Sequence, residues 1–348
     1  MPSRRRFLAA TGLAALGAPL GLAAGQAVPA PLSPLSAAPD ERPIIKPPRL
    51  RPGHTVGLVT PAGAIFDEGE IREAEAALAR LGLRTKRGAH VLDRHGYLGG
   101  TDVGRAADIM TMFRDPEVKA ILPLRGGWGC ARLLPYLDYD VIRANPKIVC
   151  GYSDITALLT AIYARTGLVT FHGPVGTSTW NDFSTDSFRR VLFGAETPVL
   201  RPAEGTRVET MNPGVARGRL LGGNLSVLSG IVGTGFVPEG DGHILFLEEV
   251  SEEPYRIDRM ITQLKLSGLL RRVTGLVFGD CRDCAPETGY VSLSLLSVLD
   301  DHLRSLGMPA FYGTAIGHVA NKFTLPVGVL AEMDANTGTI RLLEPAVV

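Results

Sequence analysis

Cysteine is scarce, with four in 348 residues, so a disulfide framework is excluded as the main source of stability. Cys281-Arg282-Asp283-Cys284 has ligand-like spacing, but no second Cys or His pair completes a zinc set, and no metal is expected. Whether those two thiols are joined is open at this level. Cys130 and Cys150 stand in apolar surroundings and read as small core residues. Charge of one sign is also missing, 36 basic residues against 35 acidic, which gives no basic footprint for nucleic acid. Past the first 30 residues no apolar run is long enough to cross a bilayer. No P-loop or dinucleotide fingerprint is complete, so no cofactor is expected.

What is abundant is glycine, 41 residues, with 25 prolines, as in a turn-rich α/β enzyme. Arg4-Arg5-Arg6-Phe7-Leu8 precedes a small-residue apolar run to Ala24 and then Gly25-Gln26-Ala27. This reads as a twin-arginine signal over residues 1–27, cleaved after Ala27, in preference to a retained anchor, because Pro19 and many Gly and Ala weaken the run. A periplasmic or otherwise exported protein is expected, with no lasting membrane insertion. Losing three arginines leaves the mature chain slightly acidic, 33 against 35. Residues 28–50, rich in Pro, Ala and Ser, read as a linker.

From Thr55 onward, buried apolar runs alternate with helical patterns. Val56 to Val59 and Ala120 to Leu124 are short strands. Ile71, Ala74, Leu78 and Leu81 share a helical face, and Thr101 caps a helix through Phe113. Strand–helix alternation predicts a parallel sheet in an N-terminal α/β domain over 51–175, with functional loops at the carboxyl ends of the strands. Residues 176–215 lose periodicity and read as a partly structured interdomain connection. A second domain over 216–345 carries strands at Ile244–Leu247 and Val273–Phe278, and a hairpin from Val327 to Met333 and Thr339 to Leu343.

The chain turns on Ile148-Val149-Cys150-Gly151-Tyr152-Ser153-Asp154, a strand running into a sharp turn and then a helix. A serine there is either a plain helix cap or a nucleophile held above the sheet, beside an amide at a positive helix end. Arg125-Gly126-Gly127-Trp128-Gly129, directly after a buried strand, can turn backbone amides toward an anion or oxyanion. For a base, His318 and His172 compete. Glu248 ends a buried strand, where a carboxylate can orient an imidazole, or it opens a solvated acidic cluster with Glu252 and Glu253.

Taken in order, Thr60-Pro61-Ala62-Gly63, the Arg125–Gly129 run, Gly151-Tyr152-Ser153-Asp154, Phe171-His172-Gly173-Pro174, Gly222-Gly223-Asn224-Leu225, Leu245-Phe246-Leu247-Glu248, Tyr255-Arg256-Ile257-Asp258-Arg259 and Gly317-His318 resemble the LD-carboxypeptidase family of serine peptidases, S66. That family includes murein tetrapeptide carboxypeptidases and microcin C self-immunity proteins. The resemblance implies a flavodoxin-like N-terminal parallel-sheet domain and a smaller, β-rich C-terminal α/β domain. It implies a triad of Ser153, Glu248 and His318, an oxyanion hole from the amides of Gly127 and Asp154, and His172 as a lining residue. Arg125, Trp128 and Arg256 become candidates for substrate contact, and a homodimer is an expectation of the same kind. The implied activity is removal of the terminal D-alanine from a murein tetrapeptide. The rival readings are an amidase acting on peptidyl or aminoacyl nucleotides, and a non-catalytic envelope protein that binds muropeptides.

Overall fold

The computed structural model describes residues 43–202, 205–239, 241–286 and 291–348. The leader and residues 28–42 of the linker lie outside the described residues. Within the described ones, no helix is long and apolar enough to cross a membrane.

The first half lays down five parallel strands: β1 (Thr55–Val59), β2 (Arg84–Arg87), β3 (Val118–Pro123), β4 (Ile148–Gly151) and β5 (Thr170–His172). The helices along this stretch are α1 (Glu68–Arg80), α2 (Asp102–Arg114), α3 (Tyr139–Ala144), α4 (Thr156–Thr166) and α5 (Asp182–Leu192). β1 and β4 are buried at every position, as strands covered on both faces must be, which is why they read as continuous apolar runs. Asp67 and Thr101 cap α1 and α2 through their side chains. The strand order β2-β1-β3-β4-β5 is flavodoxin-like and puts the loops after β1, β3 and β4 at one edge.

The second half adds β6 (Val199–Leu200), β7 (Glu209–Asn212), β8 (Val215–Asn224), α6 (Leu225–Ile231), β9 (His243–Val250), α7 (Pro254–Leu266), β10 (Val273–Arg282), α8 (Leu295–Leu303), β11 (Ala310–Tyr312), β12 (Leu325–Val327), β13 (Leu330–Asp334) and β14 (Thr339–Leu342). The second sheet runs β6-β14-β13-β8-β9-β10-β11-β7, with β8 to β11 parallel and antiparallel strands flanking them. Among the described residues it holds eight strands, in keeping with the β-rich second domain expected.

Three segments are defined more sharply by the structure than by the sequence. Residues 176–215, expected to be a partly structured connection, carry α5, β6 and β7. The expected C-terminal hairpin forms from β13 and β14, while β12, of which only Val327 falls in the expected hairpin, pairs antiparallel with β5 and completes the first sheet. Residues 43–50 of the linker are bound to the fold. The Ile45 amide donates to Gly167, that of Arg49 to Val348 and that of Leu50 to Leu192, and the Leu50 side chain is buried. Their prolines dominate the composition, but Ile44, Ile45 and Leu50 supply the apolar anchors.

Candidate active site

β4 ends at Gly151, and a short 3-10 turn, Ser153–Ile155, leads into α4. Ser153 sits at φ +62°, a left-handed conformation that a serine adopts at a cost of about 1–3 kcal/mol. That elbow lifts the hydroxyl off the sheet edge, and among the described residues Oγ makes no hydrogen bond. Gly126 lies directly against it, since a Cβ at Gly126 would stand 2.9 Å from Ser153 Cβ and 3.1 Å from Oγ. The glycine loop is tied down on both sides: the Gly63 amide donates to Gly126 O at 3.2 Å and the Cys130 amide to Asp154 Oδ2 at 2.8 Å. Burial pushes the Asp154 carboxyl upward, and the Cys130 amide partly opposes this. Among the described residues, the amides of Gly127 and Asp154 donate to no group of the chain.

Glu248 lies on β9 with its side chain fully buried. His318 occupies the loop between β11 and β12, its Nδ1 2.7 Å from Glu248 Oε2. With the carboxylate accepting from Nδ1–H, the lone pair of Nε2 is left to take a proton. Gly317 permits this approach: its φ is +99°, and a Cβ there would fall 2.2 Å from Glu248 Oε2. The ring of Tyr152, the residue before Ser153, meets the His318 ring edge-on at 5.0 Å, so serine turn and imidazole share one corner. Glu249 faces the other way and is also buried, accepting from Asn224 Nδ2 at 2.9 Å and the Ser226 amide at 2.8 Å. The acidic run therefore opens on two buried, assigned carboxylates and not on a solvated cluster.

His172, the rival base, is buried between Tyr152 and Phe246, and neither ring nitrogen has a partner among the described residues. Burial drives its pKa down to about 4, against an upward pull from Glu248, so the ring is neutral near pH 7. Trp128 is 65% exposed at the rim, edge-on to Tyr97 at 5.9 Å. Arg125 is half-buried in the glycine loop, with Nη1 3.4 Å from Ala64 O. Arg256 lies on α7 and is engaged locally, by Tyr255 Oη at 3.1 Å and Glu252 at 3.7 Å.

Two supports were not read from the sequence. Arg105, buried in α2, donates to Pro61 O and, at 3.1 Å, to Gly129 O, joining the loops after β1 and β3. An arginine inside the apolar stripe of Ala106, Ile109 and Phe113 was the available signal. Lys322, four residues past His318, donates to Val319 O at 2.6 Å and lies 5.3 Å from the centre of the Tyr152 ring. Burial lowers its pKa while Glu248 pulls it up.

The LD-carboxypeptidase N-terminal domain matches residues 56–173 and the LD-carboxypeptidase C-terminal domain residues 217–333, one on each sheet. The chain belongs to the LD-carboxypeptidase family. It is an enzyme of the carboxypeptidase type, of peptidase family S66. Among its relatives is a probable murein peptide carboxypeptidase of Bacillus subtilis, 42% identical over 83% of this chain and 91% of that one. The murein tetrapeptide carboxypeptidase of Pseudomonas aeruginosa is 34% identical over 81% of this chain and 93% of its own. In structure, the family fold is shared with the microcin immunity protein MccF solved with glutamyl sulfamoyl guanosine, at TM-score 0.80 and 27% identity, covering 87% of this chain and 99% of that one.

Proposed function

We propose that the chain is an exported serine LD-carboxypeptidase that removes the terminal D-alanine from a murein tetrapeptide. The observation that carries this is the 2.7 Å contact of His318 Nδ1 with the buried Glu248 carboxylate, in a corner shared with the Ser153 elbow. His318 Nε2 takes the Ser153 proton as Oγ attacks the amide carbonyl, and Glu248 holds the tautomer and balances the imidazolium. The amides of Gly127 and Asp154 receive the oxyanion, and one such donor is worth about 100- to 1000-fold in rate. His318 then protonates the leaving amine, and water releases the tripeptide acid. The names of the murein-acting relatives support the substrate class, and the twin-arginine pattern supports export.

Incubation with disaccharide tetrapeptide, followed by mass spectrometry, is expected to show tripeptide and free D-alanine. Ser153→Ala is expected to lower kcat by about 10,000-fold or more. Full turnover by that variant would refute the nucleophile. The likeness to MccF supports a second reading, an amidase acting on aminoacyl sulfamoyl nucleosides. Cleavage of such a nucleoside with no action on tetrapeptide decides for it.

A further inference from the structure

A carboxypeptidase has to recognise the carboxylate of its substrate, and the chemistry locates where. That group hangs two bonds from the leaving nitrogen, which His318 protonates. Its partner therefore belongs on the His318–Glu248 side of the corner and not on the oxyanion side, where Arg125 stands. An anion arriving there also approaches the buried charge of Glu248, so a cation is needed to balance it.

Arg282 meets these conditions. It is the last residue of β10, and in the parallel register it stands opposite Val250 on β9, one position past the Glu249–Cys281 pair. Val250 and Glu248 share a face of β9 by the two-residue period, so Arg282 continues the Glu248 face toward the carboxyl end of the sheet. The backbone there is fixed, since the Ser251 amide donates to Arg282 O at 2.8 Å. Cys281 and Cys284, on either side of it, are joined as a disulfide. Its side chain is 62% exposed, and its ion pair is with the adjacent Asp283 at 3.4 Å, itself 70% exposed, a contact that water weakens. The Arg282 charge nevertheless reaches the corner: burial raises the pKa of Tyr152 and lowers that of Lys322, and Arg282 adds a smaller downward pull on both. Lys322 is not the receptor, because its ammonium is buried and spent on Val319 O.

We propose that Arg282 receives the terminal carboxylate of the substrate, and that the Cys281–Cys284 bridge holds it in place at the end of β10. The assignment rests on the peptidase reading above and deepens it.

The test compares a tetrapeptide ending in D-alanine with the same peptide ending in D-alanine amide, by turnover in the otherwise intact enzyme and by calorimetry in the Ser153→Ala background. The wild type is expected to favour the acid. Arg282→Gln should lose about 10- to 100-fold in kcat/KM for the acid, the range of a charge-assisted hydrogen bond, and almost nothing for the amide. Arg282→Lys should recover part of the loss. C281S/C284S should raise KM for the acid with kcat nearly kept. An unchanged acid-to-amide ratio in Arg282→Gln, with wild-type turnover intact, overturns the assignment and leaves the peptidase reading standing. Binding of the acid without turnover, still lost on Arg282→Gln, supports the assignment and faults the peptidase reading. No binding and no turnover in any form ends both.

Discussion

His172 and His318 stand in the same neighbourhood, yet their surroundings give them different chemistry. His318 has a carboxylate on one nitrogen and an open corner at the other, whereas His172 is packed between rings with no polar partner among the described residues. On sequence alone the two histidines competed, because one residue type in a loop or strand end carries no record of burial. The structure makes His172 a pH liability. Its folded pKa of about 4 lies below its ordinary value of 6.5, so between those pH values the unfolded chain binds more protons. Stability is unaffected above pH 6.5 and falls as the pH drops from 6.5 to 4, by about 3 kcal/mol over that window. Urea midpoints measured from pH 7.5 to 4 are expected to slope downward in the wild type, and the slope should flatten in His172→Phe. An equally steep slope in that variant would show that the cost lies elsewhere.

At the level of elements, the strands and helices of the first sheet were legible because each shows one clear period. Ile71, Ala74 and Leu78 mark α1, and the continuous apolar runs mark β1, β3 and β4. α5 was hidden because serines occupy its buried face. Ser184 and Ser187 take the places that leucines would take in a plain amphipathic helix, beside Phe188, Val191 and Leu192. They are there for the loop that follows His318: Ser184 Oγ accepts from the Lys322 amide at 3.1 Å, and Ser187 Oγ from the Thr324 amide at 2.9 Å. β12 is illegible for another reason, since three residues contain no register and only the pairing with β5 reveals their sheet. Replacing Ser187 by Ala keeps the helix but leaves a buried amide unsatisfied, at about 1–3 kcal/mol. Chemical denaturation should show a loss of that size, and kcat should fall as the His318 loop loosens. Unchanged stability and activity would mean that the serine is idle.

The whole molecule is knit across its two sheets, and this is the part least visible along the chain. α4, which follows Ser153, is buried on nearly every side, because it packs against the first sheet and also against β8 and α6. Thr156 Oγ1, at its start, accepts from the Asn224 amide at the end of β8 at 2.9 Å. β12 brings residues from beyond His318 back to the edge of the first sheet, with Leu325 and Val327 fully buried there. Neither half is then complete without the other, and the two should not melt separately. Trp180, hydrogen-bonded to Gly176 O and packed on Phe188, reports the first lobe through its fluorescence. Hydrogen exchange of the β8, β9 and β10 amides reports the second. In urea both signals are expected to move together in one transition. A fluorescence change that is complete while the β9 amides remain protected would show two independent lobes. The orientation of Glu248 and His318 toward Ser153 would then depend on a mobile interface and not on a continuous core.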